Sequence, residues 1–430
     1  MKGPAHGSPR RLFRDPRVWR WILYDWAESA FATTVMVAFF PILLTHEWSL
    51  GSPATALARL GIASGCAALV IALVAPLVGA LADRAQARSF WLAGFAGLGI
   101  LSVLALDLVG KGQWFMALFL FGLALIGYSG GNVFYNSLLL HCCDSSEIDR
   151  ASCYGYGAGY LGGGLLFALN IWMVMDPARF GLSSALSAMR VAFVDVAGWW
   201  ALFTLPILTG KRPDRRPRAG FGFLVRAGWQ QFRSTFREVR KLRYVSVFLL
   251  AYWCYIDGVN TIIKMAVSYG LALGFPSSSL IVAILVTQAV AFPAALGYAH
   301  AGVRWGVMRA LYLGIGVYMV ATLAAAFMTN VTEFYALAAV VGLVQGGTQA
   351  LSRSLYARLI PKEKSAEFFG FYGMIGKFSA ILGPFLVALT ESWTGNVRFA
   401  IGSILLLFAL GAILLHRVDF KAGQMVAGSL

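Results

Sequence analysis

Among the ionisable side chains that fall inside long apolar stretches of this sequence are Asp25 and Glu28 early, Asp257 and Lys264 past the middle, and Arg353 and Lys377 later. A charge at the centre of a bilayer costs at least ~2.5 kcal/mol unless it is paired or hydrated. Residues kept at that cost suit three kinds of chemistry: taking up and releasing a proton, holding a charged solute, or pairing across helices. Asp25 and Glu28 stand one helical turn apart and place two carboxylates together. Asp257, Thr261 and Lys264, spaced by four and three, share one helix face.

The elements that must carry these groups are membrane helices. The 430 residues are 59% apolar and 13% charged, with a mean hydropathy of +0.71, more apolar surface than a soluble domain of this length can bury. Twelve runs approach the ~20-residue spanning length: 21–45, 57–82, 89–109, 114–140, 153–175, 189–209, 244–272, 278–299, 306–327, 333–357, 366–390 and 398–416. The sequence thus predicts an all-α integral membrane protein. At ~1.5 Å per residue, Asp25 lies about 6 Å and Glu28 about 10 Å into the first span, and Arg353 about 6 to 8 Å from the near end of the tenth. These three share a layer. Asp257 and Lys377 are about 20 and 16 Å deep, a separation at which an ion pair between the seventh and eleventh spans is feasible, and Lys264, some 30 Å along, lies near the far end.

Most of the 35 Lys and Arg residues fall in the tails and the even-to-odd loops, leaving only Arg59, Lys111, Arg179, Arg190 and Arg398 on the opposite side. By the positive-inside rule both termini are cytoplasmic. The +16 net charge is then a topology signal and a contact surface for anionic lipid at the cytoplasmic face, and no nucleic-acid partner is expected. The basic opening Lys2 to Arg20 leads into a span too long for a signal h-region, so the first helix reads as its own targeting signal. Between the sixth and seventh spans, 210–243 begins as a Pro-broken linker. It continues with Val225, Trp229, Phe232, Phe236, Val239 and Leu242 as one apolar stripe on a basic helix suited to the headgroup layer. The chain divides into a bundle at 1–209, this linker at 210–243 and a second bundle at 244–430.

The two bundles echo each other. Gly79-Ala80-Leu81-Ala82-Asp83-Arg84 with Arg88 has a weakened copy at Gly297-Tyr298-Ala299-His300 with Gly302 and Arg304; Gly130-Gly131-Asn132 answers to Gly346-Gly347-Thr348, and Gly155-Tyr156-Gly157 to Gly370-Phe371-Tyr372. Landmarks in one order at one offset indicate tandem copies of a membrane unit, the symmetry on which many carriers are built. Gly159, Gly162, Gly163, Gly164, Gly373 and Gly376 mark close helix crossings, static or sliding.

These motifs also carry a resemblance. The Gly79–Arg84 loop with Arg88 looks like the signature loop of the major facilitator superfamily. The stretches Tyr24–Met36, Phe134–Ser137, Asp257–Ile263, Gly342–Gly347 through Arg353-Ser354, Gly376–Phe378 and Ile381–Pro384 are similar to bacterial relatives of the autophagy-related vacuolar amino-acid effluxers. The resemblance implies two six-helix bundles, alternating access and export of small solutes, with amino acids linked to the fungal members. It places Asn132, Tyr135 and Asn136 on the fourth span, and Gln345, Thr348 and Gln349 on the tenth, along the cavity, as solute ligands or as interhelical hydrogen-bond groups. It puts Asp83 against the N-terminal end of the eleventh span, with Arg84 and Arg88 bracing neighbours. The chain departs from the family in Glu28, where asparagine is usual, in Lys264, where an uncharged residue is expected, and in His300, where the second loop should have aspartate.

Three functions compete: a secondary active carrier, a lipid or amphiphile translocase, and a membrane enzyme. The five histidines and five cysteines show neither metal-ligand spacing nor a nucleophile with its base. No GxxxxGK loop offers ATP drive, and no cofactor is implied. The reading is therefore a monomeric carrier in a bacterial cytoplasmic (inner) membrane, moving a small polar or amphoteric solute, with amino acids as candidates, outward with H⁺ as coupling ion. Asp25, Glu28, Asn132, Tyr135, Asn136, Asp257, Thr261, Lys264, Gln345, Gln349 and Lys377 form its pathway and Asp83, Arg84, Arg88 and Arg353 its gates. Asp25, Glu28 and Arg353 are expected to close the inner gate as two carboxylates about one arginine. Asp257 reads either as part of the path or as a packing anchor.

Overall fold

A computed structural model of the chain describes residues 15–49, 52–209, 230, 242–379 and 382–428. Among them every regular element is helical, and twelve helices are long and apolar enough to span a bilayer: α1 Pro16–Trp48, α2 Thr55–Ala85, α3 Arg88–Leu108, α4 Trp114–Cys142, α5 Ile148–Met175, α6 Ala185–Leu208, α7 Arg243–Ala266, α8 Ser279–Trp305, α9 Val307–Phe327, α10 Val331–Leu359, α11 Lys362–Thr394 and α12 Arg398–His416. A short thirteenth helix, α13 (Phe420–Gly428), sits against the start of α7, with Phe420 edge-on to Phe248. The expected basic surface helix lies outside the described residues except for Gln230 and Leu242.

Local chemistry sets the ends. Asp15 caps α1, its carboxylate accepting the Arg17 N–H at 2.8 Å, and Pro16 fills the first helical position, where no N–H is needed. Asn330 caps α10 through the Glu333 N–H at 2.9 Å. In α1, Phe31–Phe39 winds as a wider π-helix just before Pro41, which lacks a backbone donor.

The helices form two bundles, α1–α6 and α7–α12, with one neighbour scheme. In the first, α1 packs on α5 and α6, α2 on α4, and α3 on α4 and α6; in the second, α7 packs on α11 and α12, α8 on α10, and α9 on α10 and α12. Across the halves α2 meets α11, α5 meets α8 and α10, and α4 meets α11. Leu69, Leu73, Phe119, Leu202, Val320, Leu406 and Ile413 are exposed on the outside, an apolar exterior that only lipid solvates favourably.

Candidate functional site

The face on which α1 begins and α12 ends, here the terminal face, is where polar contacts join the two halves. The first layer is built on glycine. A Cβ on Gly155 of α5 would lie 2.9 Å from the Asp25 carboxylate, the Trp21 ring and the Tyr135 hydroxyl, so only glycine lets α1 and α4 close on this point. Trp21 donates its ring N–H to the Tyr135 carbonyl at 2.8 Å and stacks on the Tyr135 ring at 4.4 Å. Tyr135 donates its hydroxyl to Asp25 Oδ2 at 2.7 Å.

Into this pocket Arg353 of α10 inserts from the other half, 2% exposed. Its five N–H donors all have acceptors: Nε to Ser152 Oγ at 2.8 Å, Nη2 to the Ser152 carbonyl at 2.9 Å and Asp25 Oδ2 at 3.5 Å, and Nη1 to Asn136 Oδ1 at 3.2 Å and Asp25 Oδ2 at 3.4 Å. The guanidinium also lies over the Trp21 and Tyr156 rings at 4.8 and 4.4 Å, where ring quadrupoles attract a cation.

Glu28 does not join this pair. One turn further along α1 it turns to α4 and accepts the Asn132 amide N–H at 2.8 Å. The expected arginine between two carboxylates is thus corrected to an Asp25–Arg353 pair, with Glu28 held by an uncharged partner.

Nearer the terminal face, Asp83 accepts the Ala366 and Glu367 N–H groups at 3.1 and 2.9 Å, at the positive start of α11. Gly79 and Gly370 allow this approach: a Cβ on Gly79 would meet the Ala366 carbonyl, and one on Gly370 the Pro76 backbone. Arg88 bonds Asp83 at 2.7 Å, the Glu363 carbonyl at 2.9 Å and the His141 ring at 3.2 Å. Arg84 points outward, exposed, and forms no ion pair with the described residues, so the bracing expected of two arginines falls to Arg88. In the second copy His300 is exposed and bonds only the Leu296 carbonyl of its own helix, at 3.0 Å; without a carboxylate it cannot hold amide donors. Loss of the Asp83 charge should weaken two charge-assisted bonds, each worth about 1.5–3 kcal/mol. In Asp83→Asn, spin labels at exposed Gln86 and Lys362 should therefore report a longer, broader distance; a distribution identical to wild type would show that Asp83 does not hold this face.

Asp257 of α7 is fully buried, against α11 beyond the break at Ser379, where its first helical segment ends. Its carboxylate accepts the Leu382 and Gly383 N–H groups at 3.1 and 2.9 Å and the Thr261 hydroxyl at 3.3 Å. The feasible Asp257–Lys377 ion pair does not form, because the amides at the break occupy the carboxylate. Lys377 is half-buried and Lys264 exposed, and neither is ion-paired to a described residue. Gln345 lies beside Tyr160, Gln349 is half-buried and Thr348 fully buried.

Several contacts escape sequence reading. Arg358 pairs with Asp149 across α10 and α5, and the Ser152 hydroxyl, besides meeting Arg353, donates to the Ala350 carbonyl at 2.7 Å. Gln288 of α8 donates to Thr33 of α1 at 3.0 Å. Asp149 and Arg358 sit at helix ends, where charges look like ordinary topology signals, and Ser152 carries no spacing signal. Gly159, Gly162 and Gly163 pack on Ser29 and Trp26 of their own half, a static role. Gly164 faces Gln288 across the halves.

Comparison with known proteins bears on the family and the fold. The family described as "Vacuole effluxer Atg22 like" matches residues 58–141 and 140–428. An uncharacterized MFS-type transporter of Bacillus subtilis, YxiO, is 35% identical over 414 residues, covering 95% of this chain and 96% of that protein. Autophagy-related protein 22 of Yarrowia lipolytica is 28% identical over 65% of this chain, which spans about half (51%) of that protein's length. Among solved structures, the human organic anion transporter MFSD10 superposes with a TM-score of 0.67 at 15% identity over 96% of this chain and 100% of that one. FucP in its outward conformation gives 0.64 at 14% identity over 93% and 98%. These relatives are transporters rather than enzymes, and the chain belongs to the Atg22-like vacuole effluxer family, an integral membrane branch of the major facilitator superfamily.

Proposed function

We propose that the protein is a proton-coupled secondary carrier that exports a small polar or amphoteric solute, with amino acids as candidates, from a bacterial cytoplasm, acting as a monomer. The lysine and arginine distribution supports cytoplasmic termini, which makes the terminal face the cytoplasmic one, closed here by Arg353 and Asp83. The alternating halves are then the bundles at 1–209 and 244–430, with 210–243 as their tether on anionic lipid.

The observation that carries the proton reading is the difference between the two carboxylates of α1. Asp25 is committed to an arginine, whereas Glu28, 2% exposed, has a single amide donor and no cation within bonding distance among the described residues. Such a carboxyl group can be held neutral or charged according to its hydration, as a proton carrier requires. In proteoliposomes screened with amino acids and other small amphoteric solutes, an imposed pH gradient should drive uphill flux in wild type. In Glu28→Gln the gradient response should vanish while solute exchange at equal pH persists. Wild-type flux indifferent to the gradient, or a Glu28→Gln variant that still responds to it, would overturn the proton reading.

A further inference from the structure

The pathway's second half has a cation that the carrier cycle as drawn leaves unused. Gly373 of α11 faces α4, a Cβ there lying 3.4 Å from a Val133 methyl group. Lys377 follows one turn later on the same face, further from the terminal face. On the antiparallel α4 the residue next to Val133 is Asn132, bonded to Glu28. Lys377 thus starts about 4.5 Å further from the terminal face than Asn132, on the far side of the closed Asp25–Arg353 layer, with a side chain long enough to lean back towards the Glu28–Asn132 pair. The side chain is half-buried and about 18 Å along the helix from Ser365, too deep to snorkel to the terminal face. The charged groups that act on it are Lys264, a second cation, and Glu28 of the other half, and no carboxylate lies within ion-pair distance among the described residues. Asp257, an acidic group on its own half, is taken by the Leu382 and Gly383 amides and Thr261. Lys377 is therefore a cation without an ion-pair partner among the described residues, and such an intramembrane cation is suited to a mobile partner.

We propose that Lys377 is the anion-binding residue of the pathway, and that the transported solute carries an acidic group, a carboxylate or its charge equivalent, that docks on it opposite Glu28, with Lys264 as a second cation further out. This inference rests on the carrier reading and adds the charge of the cargo and its point of attachment.

Matched compounds test it. Purified protein is heated with a panel of small aliphatic and amino carboxylic acids and, separately, with the corresponding amides, which keep shape and lose the anion. Acids should raise the apparent melting temperature and their amides should not, since only a ligand bound to the folded state stabilises it. Lys377→Gln should weaken apparent acid affinity by about tenfold or more, Lys377→Arg should retain it, and Lys264→Gln should have a smaller effect. If Lys377 were only a counter-ion to Glu28, Lys377→Gln would lower the melting temperature of ligand-free protein and leave acid–amide discrimination intact, which overturns the proposal. So would amides that stabilise as well as acids, or a panel in which no acid stabilises wild type. Failure here is separable from failure of the carrier reading: labels at Gln86 and Lys362 that separate on a change of pH would show a working carrier whose cargo is not held by Lys377.

Discussion

Replacing Arg353 by methionine should open the terminal face and be the most damaging single change to the closed state. The side chain makes five hydrogen bonds to three helices of the other half, and its loss leaves Asp25 buried with only the Tyr135 hydroxyl. Removing one partner of a buried ion pair costs about 3–5 kcal/mol, which multiplies the open-to-closed ratio by about 10²–10⁴. Spin labels at Gln86 and Lys362 should shift to long distances, and transport should fall because the cycle loses one end state. Lysine should not rescue, since one ammonium cannot span Ser152, Asn136 and Asp25 together. A charge swap tests the partner: Asp25→Arg with Arg353→Asp should recover part of the closed population lost in each single variant. Glu28→Arg with Arg353→Glu should recover none, because Glu28 faces Asn132. Rescue by the Glu28 swap instead would mean that Glu28 is the partner in the closed state.

The difference between those two swaps shows what was legible in the sequence. Hydropathy runs, loop charge and the tandem motifs determine the twelve helices and the two bundles, because lipid permits few ways to satisfy a backbone. Depth along a helix, at a fixed rise per residue, placed Asp25 and Arg353 in one layer. Rotation about the helix axis is what depth omits. Asp25 and Glu28 are one turn apart and fall within the same layer by depth, yet Asp25 meets Arg353 of α10 as well as Tyr135 of α4, while Glu28 bonds only Asn132 of α4 among the described residues, a choice made by Gly155 and the Trp21–Tyr135 stack. The Asp83 contact with α11 was readable because a resemblance supplied both partners. The Asp149–Arg358 pair was not, since charges at helix ends are common for reasons unrelated to pairing. For Asp257 the sequence left path and anchor both open, and the end of a helix at Phe378 is invisible when it lies within a continuous apolar run.

That break gives Asp257 its expected phenotype. In the part of α11 described from Leu382 onward, the Leu382 and Gly383 backbone N–H groups need acceptors. Leu382 and Gly383 donate to Asp257, and Pro384 has no N–H to satisfy. Asp257→Ala would bury two unpartnered donors and remove charge-assisted bonds worth about 1.5–3 kcal/mol each, so the melting temperature should fall by several degrees and flux should drop at every pH. Asp257→Asn retains one acceptor oxygen and should fall between alanine and wild type. Gly383→Ala should mimic the loss, because a Cβ there collides with the Thr261 hydroxyl and lies 2.9 Å from the Asp257 carboxylate. The residual flux of Asp257→Asn should still respond to a pH gradient, in contrast to Glu28→Gln. A stable Asp257→Asn variant that has lost only its gradient response would place Asp257 in the proton path instead, and the amide bonds at the α11 break would then be part of the coupling step rather than a fixed anchor.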